Sequence, residues 1–242
     1  MVGDAADHRA GAGAPAPLTP AHEHPWDLAP AAARALQAEL AGRIERRDRF
    51  GTIELVAGVD VGFEQGGALA RAAVAVLRLA DLAPVDQAIA RRPTAFPYVP
   101  GLLSFREIPA VLDALAALRT RPQLLVCDGQ GLAHPRRFGL ACHLGWILDV
   151  PCIGVAKSRL LGSFNPPAQR RGAAAPLVDA DEVVGAALRS RVGVKPVFVS
   201  IGHRIALSMA CIGRYRVPET TRHAHRLASQ HSLAEPRRRR SA

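Results

Sequence analysis

The segment IELVAGVDVGF, residues 53–63, decides the fold and carries the first sign of chemistry. Its aliphatic residues have the pattern of a β-strand, yet a carboxylate, Asp60, lies inside it. A second apolar run, residues 124–127, ends directly before another carboxylate, Asp128. Burying a carboxylate among aliphatic side chains is costly unless a counter-charge compensates it. Two such groups on neighbouring strands therefore predict a site for a divalent cation with oxygen ligands.

A single aspartate more commonly caps a helix or starts a turn, and this interpretation stays open for both positions. Asp128 is followed by Gly-Gln-Gly, a turn-forming sequence, so a structural role is as good an interpretation there as a catalytic one. Asp60 lies within the strand pattern, which weakens the structural interpretation for that residue.

Strand and helix patterns on either side of this segment predict a mixed sheet. The predicted strands are residues 53–63, 72–79, 85–90, 123–127, 152–156 and 197–201. The predicted helices cover residues 30–49, 104–119, 138–148 and 181–191, with a last helix after Pro218. This order indicates an α/β fold in which three antiparallel strands are followed by parallel strands, with helices on both faces of the sheet.

The chain of 242 residues carries a net charge of +10, and the excess is mostly arginine. Arginine binds phosphate through two parallel hydrogen bonds, so nucleic acid is the expected partner, although a GC-rich genome also inflates Arg, Ala, Pro and Gly. No apolar stretch reaches the roughly 18 residues of a membrane span, and no secretory signal is recognisable. The four cysteines lack a metal or disulfide pattern. We therefore expect a cytoplasmic monomer with no membrane association.

Two loop segments have compositions suited to nucleic-acid recognition. Residues 97–107, PYVPGLLSFRE, form a stiff loop that projects Tyr98, and such a loop is a good wedge against stacked bases. Glu107 lies in the following helix, where an acid also has a plain structural role. Residues 128–139, DGQGLAHPRRFG, combine glycines that permit close backbone approach with two arginines available for phosphates. Lys157 ends a later strand, where it either faces a scissile phosphate or is an ordinary surface residue.

These two segments belong to a set of six that together resemble the endonuclease V family, the deoxyinosine 3′ endonucleases. The others are AGVDVGFE at 57–64, GVAKSRL at 154–160, GHR at 202–204 and YRVPETTRHAH at 215–225. The resemblance implies a ribonuclease H-like fold and a DNA repair nuclease that depends on Mg²⁺, with Mn²⁺ as a substitute. It also implies hydrolysis of the second phosphodiester bond 3′ to a deaminated purine, chiefly deoxyinosine, which leaves a 3′-hydroxyl and a 5′-phosphate.

The resemblance assigns catalytic roles by position. Asp60, Glu107 and Asp128 correspond to the metal-binding carboxylates of the family. Lys157 corresponds to its catalytic lysine, and His225 to a position near the metal that His or Asp occupies in relatives. The expected reaction is in-line attack of water on the phosphorus, with Mg²⁺ between Asp60 and Asp128 and the use of a second ion by Glu107 left open.

The resemblance also assigns residues to base recognition. The wedge that enters the duplex corresponds to Tyr98 with Pro100 and Gly101. The walls of the pocket for the extruded base correspond to Leu103, Gly129, Gly131, His134, Gly139, Ala156 and Leu160. An inosine cannot be inspected inside a stack, so it must be flipped out, and glycine backbone amides would bind its O6 while refusing the amino group of adenine.

The resemblance and the composition together set the expected domain bounds. Residues 26–230 are expected to form the endonuclease V-like nuclease domain. Residues 1–25, rich in Ala, Gly, Pro and His, predict a disordered tail, and residues 231–242 predict a basic disordered tail that adds nonspecific phosphate affinity.

One segment departs from the family pattern. Between His203 and Tyr215 the chain is shorter than its relatives by more than a helical turn, and Arg214 stands where a glycine is usual. Either a loop compensates or His225 is displaced from the metal. Three functions therefore stay open: a nuclease for deoxyinosine in single- or double-stranded DNA, an inosine-specific endoribonuclease, and a non-catalytic nucleic-acid-binding protein of the same fold.

Overall fold

A sheet of eight strands forms the centre of the structure, a computed structural model that describes residues 18–206 and 217–230. The strands are β1 Leu55–Glu64, β2 Leu69–Arg78, β3 Pro84–Pro93, β4 Leu124–Cys127, β5 Cys152–Ala156, β6 Ala174–Asp179, β7 Glu182–Leu188 and β8 Val197–His203. The helices are α1 Pro30–Ala41, α2 Leu103–Ala116, α3 Leu140–Leu148 and α4 Val217–Gln230. Across the sheet the strand order is β3-β2-β1-β4-β5-β8-β7-β6.

The two halves of the sheet meet at β1. It pairs antiparallel with β2, and β2 pairs antiparallel with β3, which confirms the predicted meander. On its other side β1 pairs in parallel with β4, and β4 pairs in parallel with β5. β8 runs antiparallel to β5, so the predicted series of parallel strands ends at β5. The chain between β5 and β8 forms the β6–β7 hairpin rather than a crossover helix. A parallel pair needs a crossover connection, so β8 does not run parallel to β5.

Alternation along β1 directs its residues to two different faces of the sheet. Ala57 and Val59 belong to the large core cluster that also contains residues of α1, α2 and α3. Gly58 and Asp60 face the opposite side, where Gly58 contacts Thr220 of α4. Helices therefore cover both faces, which confirms the fold class predicted from the sequence.

The helix predicted at residues 181–191 is wrong. Most of these residues form β7, Glu182–Leu188, which pairs antiparallel with both β6 and β8. Ala180 and Asp181 connect β6 to β7 with φ values of 48° and 66°, the left-handed conformation of a tight hairpin turn. Val183 and Val184 are β-branched, and in this sheet their strand preference overrides the helical spacing.

The N-terminal boundary of the folded domain lies earlier than predicted. Leu18 is buried, and the amides of Ala21 and His22 donate to the carbonyl of Ile147 at 2.7 and 3.0 Å. Residues 18–25, which we predicted as part of a disordered tail, therefore pack against α3. These few contacts could not be predicted from the polar composition of the segment.

The helix predicted at residues 30–49 ends at Ala41. Beyond it the chain is bonded to the end of β8: the amide of Glu45 donates to His203 Nδ1 at 3.2 Å, and the amide of Arg204 donates to the carbonyl of Glu45 at 2.7 Å. The GHR motif at this point of the sequence thus has a structural role.

Residues 1–17, 207–216 and 231–242 lie outside the described part of the chain. Most of the predicted N-terminal tail, the whole predicted C-terminal tail and most of the segment that is shorter than in relatives fall there. Within the described ranges, no helix combines the length and the apolar content that crossing a bilayer requires.

Candidate active site

Asp60 and Asp128 are brought side by side by the parallel pairing of β1 with β4. Val59 is opposite Cys127 in the register, and the amide of Asp128 donates to the carbonyl of Val59 at 2.9 Å. β4 ends at this level while β1 continues, so Asp60 lies within its strand and Asp128 directly after the neighbouring one. Both carboxylates are largely buried, with 12% and 13% of the side chain exposed.

His225 reaches the same point because α4 lies very close to β1. A Cβ added to Gly58 would lie 2.4 Å from the carbonyl oxygen of Thr220. Asp60 follows Gly58 by two residues, a distance of about 6.6 Å along the strand. His225 follows Thr220 by five residues, a distance of about 7.5 Å along the helix. The two side chains meet, with His225 Nδ1 3.1 Å from Asp60 Oδ2. His225 therefore reaches Asp60 although the segment before α4 is shorter than in relatives.

Asp60, Asp128 and His225 form a compact donor set. One ligand atom from each lies within 4.8 Å of the others. Opposite ligands of an octahedral Mg²⁺ are about 4.2 Å apart, so these side chains fit such an ion after a small contraction. Lys157 Nζ donates to Asp128 Oδ2 at 2.5 Å and lies 3.5 Å from His225 Nδ1. The lysine supplies part of the counter-charge that the buried carboxylates need.

Glu107 is a third carboxylate at this site and faces it from α2. It lines the same cavity as Asp128. Burial and the negative charges of Asp60 and Asp128 raise the pKa of Glu107 to about 8. Burial also raises the pKa of Asp128, against the opposing hydrogen bond from Lys157. Crowded carboxylates that resist ionisation are the environment that a divalent cation stabilises.

A cavity of about 430 Å³ opens beside the acidic cluster. Nine of the ten residues assigned above to base recognition line it: Tyr98, Pro100, Gly101, Leu103, Gly129, His134, Gly139, Ala156 and Leu160. Glu107, Asp128 and Lys157 contribute to the same lining, so the cavity and the acidic cluster are continuous. Gly131 is buried against β8 instead, where an added Cβ would lie 2.1 Å from the carbonyl oxygen of Ile201.

The pocket glycines Gly129, Gly131 and Gly139 do not offer free amide donors to a base, because their N–H groups are already bonded within the protein. The Gly129 amide donates to carbonyls of β4 and β5 at 2.9 and 3.2 Å. The Gly131 amide donates to Ser200 Oγ at 2.9 Å, and the Gly139 amide donates to the carbonyl of Gly131 at 3.0 Å. Their common property is close packing: a Cβ on Gly139 would lie 2.4 Å from the carbonyl oxygen of Gln130.

His134 is a buried wall residue whose tautomer is fixed by its neighbours. Its Nε2 lies 3.1 Å from the carbonyl of Gly101, which can only accept, so Nε2 carries the hydrogen. Its Nδ1 accepts from the amide of Arg136 at 3.3 Å. Burial and the positive charges of Arg136 and Arg137 lower the pKa of His134 to about 4. His134 is therefore neutral near pH 7.

The two arginines predicted to be available for phosphates are engaged within the protein. Arg136 donates to the carbonyl of Gly101 at 2.8 Å and to a side chain of α1 at 2.7 Å. Arg137 pairs with Asp179 and Glu182 at 2.8 and 2.7 Å, which ties its loop to the β6–β7 hairpin. These partners come from distant segments, which the local sequence around the arginines does not reveal.

Gln37 is one of several residues lining the cavity, with Leu140 another, that the sequence did not point to. It is 1% exposed, on the buried side of α1 with Ala33 and Leu40. Its side chain is the α1 group that contacts Arg136. A polar residue within an apolar helical stripe was the available signal, because such a residue needs a buried partner.

The fold and the acidic cluster together are typical of one class of protein, the nucleases with a ribonuclease H-like sheet. The sequence model of the endonuclease V family matches residues 38–226, and the chain belongs to that family. It is 55% identical over 219 residues to the endonuclease V of Roseiflexus castenholzii, across 88% of this chain and 98% of the relative. The chain is therefore an endonuclease, as the resemblance predicted.

Solved structures of the family share the fold. The crystal structure of endonuclease V from Streptomyces avermitilis is 48% identical and superimposes with a TM-score of 0.78, over 85% of this chain and 93% of that one. Endonuclease V of Ciona intestinalis, in complex with a 24mer DNA containing an inosine followed by a ribo-adenosine, is 26% identical with a TM-score of 0.69. That match covers 83% of this chain and 96% of the Ciona chain.

Proposed function

We propose that this endonuclease repairs DNA by flipping out deoxyinosine and hydrolysing the second phosphodiester bond 3′ to it, in single- or double-stranded DNA. The products would carry a 3′-hydroxyl and a 5′-phosphate. The observation that carries the proposal is the convergence of Asp60, Asp128 and His225 within 4.8 Å, beside a cavity of about 430 Å³. A base-flipping nuclease needs both a reaction centre and an adjoining pocket.

The proposed reaction depends on Mg²⁺, with Mn²⁺ as a substitute. Asp60 and Asp128 would hold the ion, Glu107 would join them from α2, and His225 would lie beside it. Carboxylate oxygens are the ligands that these cations prefer. When bound, the ion supplies positive charge at the phosphate and a more acidic water.

Lys157 and His225 would act on the phosphate and the water. Lys157 Nζ lies next to Asp128, so its ammonium would offset charge on the nonbridging phosphate oxygens as it develops. His225 contacts Asp60 through Nδ1 while 54% of its side chain remains exposed. This position suits a group that orders water or assists proton transfer.

The flipped base would be read by backbone at the start of α3. Leu140 is the first residue of that helix, so its amide has no acceptor within the helix, and Leu140 lines the cavity. An N–H donor in this place would bind O6 of hypoxanthine and repel the amino group of adenine, which is also a donor. Neutral His134 would complete the wall without adding charge.

Tyr98 would open the duplex. Its side chain is 69% exposed at the edge of the cavity, the position that an inserted aromatic needs. The inosine-containing DNA in the complex of the Ciona relative supports inosine as the recognised base.

Inosine-containing RNA is a second candidate substrate. The DNA bound by the Ciona relative carries a ribo-adenosine after the inosine. A pocket for a flipped base does not by itself distinguish the sugars. A protein without turnover is disfavoured, because the acidic cluster is intact.

Cleavage of end-labelled oligonucleotides tests the proposal. The substrates would be single- and double-stranded DNA with one deoxyinosine and matched RNA with one inosine, each with Mg²⁺ and with EDTA. We expect one nick, at the second phosphodiester 3′ to the lesion, only with the metal and faster on DNA. Faster cleavage of RNA would favour the second candidate. Binding without a nick on any substrate would contradict the proposal.

We further propose that the protein is a cytoplasmic monomer. Cys127, Cys142 and Cys152 are free and buried, which suits a reducing compartment. Light scattering coupled to size-exclusion chromatography would test the monomer, and a dimer mass would contradict it.

A further inference from the structure

The loop that carries Tyr98, residues 97–101, is held at its last residue. We call it the wedge loop. Gly101 has a φ of 77°, and an added Cβ would lie 2.9 Å from Arg136 Nη2. The Gly101 carbonyl accepts from His134 Nε2 at 3.1 Å and from Arg136 Nη2 at 2.8 Å. Two donors on one carbonyl fix the direction in which the loop leaves the cavity wall.

Gln37 in turn orients Arg136. Its Oε1 accepts from Arg136 Nε at 2.7 Å, and its Nε2 donates to the carbonyl of Phe138 at 3.1 Å. Only one orientation of the amide satisfies both contacts, because a flipped amide would oppose donor to donor and acceptor to acceptor. Gln37 is 1% exposed, so its amide depends on these two partners rather than on bulk water.

The guanidinium of Arg136 relies on neutral acceptors. In the described part of the chain its hydrogen bonds go to the Gly101 carbonyl and the Gln37 side chain, neither of which carries a charge. A cation that is held only by neutral dipolar groups depends on the positions of those groups, because no counter-charge holds it. Removing the Gln37 oxygen would therefore free the arginine side chain to rotate and leave the Gly101 carbonyl to the longer bond from His134.

We propose that Gln37 is a positioning residue for the wedge loop, which through Arg136 sets Gly101, and with it Tyr98, at the edge of the cavity. The inference rests on the proposed role of Tyr98 in opening a duplex. Single-stranded DNA has no base pairs to open, so the position of the loop should matter mainly for duplex substrates.

Two substitutions separate this role from a purely structural one. Gln37→Met keeps the side-chain volume and removes both polar contacts. Gln37→Glu keeps an acceptor for Arg136 but sets an oxygen against the carbonyl of Phe138. Gln123→Met is the control, because Gln123, whose Oε1 accepts from the amide of Leu55 at 2.7 Å, precedes β4, at the opposite end of that strand from Asp128 and the cavity.

Steady-state kinetics would be measured on duplex and single-stranded DNA with one deoxyinosine. We expect Gln37→Met to raise KM for the duplex about tenfold, with kcat unchanged and single-strand KM within about twofold. Gln37→Glu should stay within about threefold of wild type on the duplex, and Gln123→Met should resemble wild type. Equal losses on both substrates, equal damage by both Gln37 variants, or no loss in Gln37→Met would overturn the inference.

Hydrogen exchange without DNA separates this inference from the proposed function. We expect faster exchange at the amides of residues 98–102 in Gln37→Met than in wild type or Gln37→Glu. A wild-type protein that cuts no deoxyinosine DNA contradicts the proposed function, whereas exchange still decides whether Gln37 positions the loop. Unchanged exchange in Gln37→Met would overturn the positioning role even if the enzyme is fully active.

Discussion

Gly58→Ala tests the close approach of α4 to β1 that brings His225 to Asp60. The added Cβ would lie 2.4 Å from the carbonyl oxygen of Thr220, whereas ordinary contact begins at 3.4 Å. The obstacle is backbone, so the helix has to move by about 1 Å. His225 moves with it, and its 3.1 Å contact with Asp60 lengthens to about 4 Å.

Two effects of this movement can be measured separately. Overpacking of this kind lowers the free energy of unfolding by about 1–3 kcal/mol, which urea denaturation detects. Displacing a group of the reaction centre by about 1 Å lowers kcat by up to about 10²-fold. The assay would use single-stranded deoxyinosine DNA with Mg²⁺, so that duplex opening does not contribute. Gly51→Ala is the matched control, because nothing lies within 4 Å of a Cβ at that position.

The two measurements test the packing of α4 against β1 and the role of His225 separately. Wild-type stability and wild-type kcat in Gly58→Ala would refute the packing argument. Lower stability with wild-type kcat would leave the packing argument intact and refute the dependence of the reaction on the position of His225.

Three further predictions concern single residues. Asp60→Asn is expected to abolish cleavage while gel-shift affinity for lesion DNA is retained, since only the metal site is damaged; retained cleavage would rule out the role assigned to this carboxylate. Tyr98→Ala should weaken binding to a lesion duplex by about 1–3 kcal/mol in a fluorescence titration, and an unchanged affinity would remove the wedge role. The pKa of His134 is lowered from 6.5 to about 4, so the unfolded chain takes up this proton at a higher pH than the native protein. The contribution of neutral His134 to the free energy of unfolding is complete above pH 6.5 and decreases by up to about 3 kcal/mol as the pH falls to 4. Urea denaturation from pH 6.5 to pH 4 should therefore show a smaller loss of stability in His134→Gln than in wild type. Parallel stability profiles of the two proteins would contradict a neutral His134.

The centre of the sheet could be predicted from the sequence because its patterns are local. Residues 53–63 are an apolar run with strand periodicity, and they form β1 with Asp60 inside it. The apolar run before Asp128 likewise forms β4. The hairpin of β6 and β7 was missed because its turn, at Ala180 and Asp181, contains no glycine or proline and so lacks the usual sequence signal.

The residues that form the site could be predicted better than the hydrogen bonds between them. The family resemblance named nine residues that line one cavity, including His134 and Leu160. It could not show that the glycine amides are already bonded, or that Arg136 is held by Gln37 from α1, a partner 99 residues earlier in the chain. Such pairings depend on how distant elements pack, and no local pattern in the sequence specifies them.

The proposed reaction depends on Asp60, Asp128 and His225 lying together around one divalent cation. A crystal soaked with Mn²⁺ tests it most directly, because anomalous scattering locates the ion without reference to activity. We predict a single strong peak within bonding distance of Asp60 and Asp128, with Glu107 and His225 adjoining it. A peak elsewhere, or none at a concentration of Mn²⁺ that supports cleavage, would contradict the account.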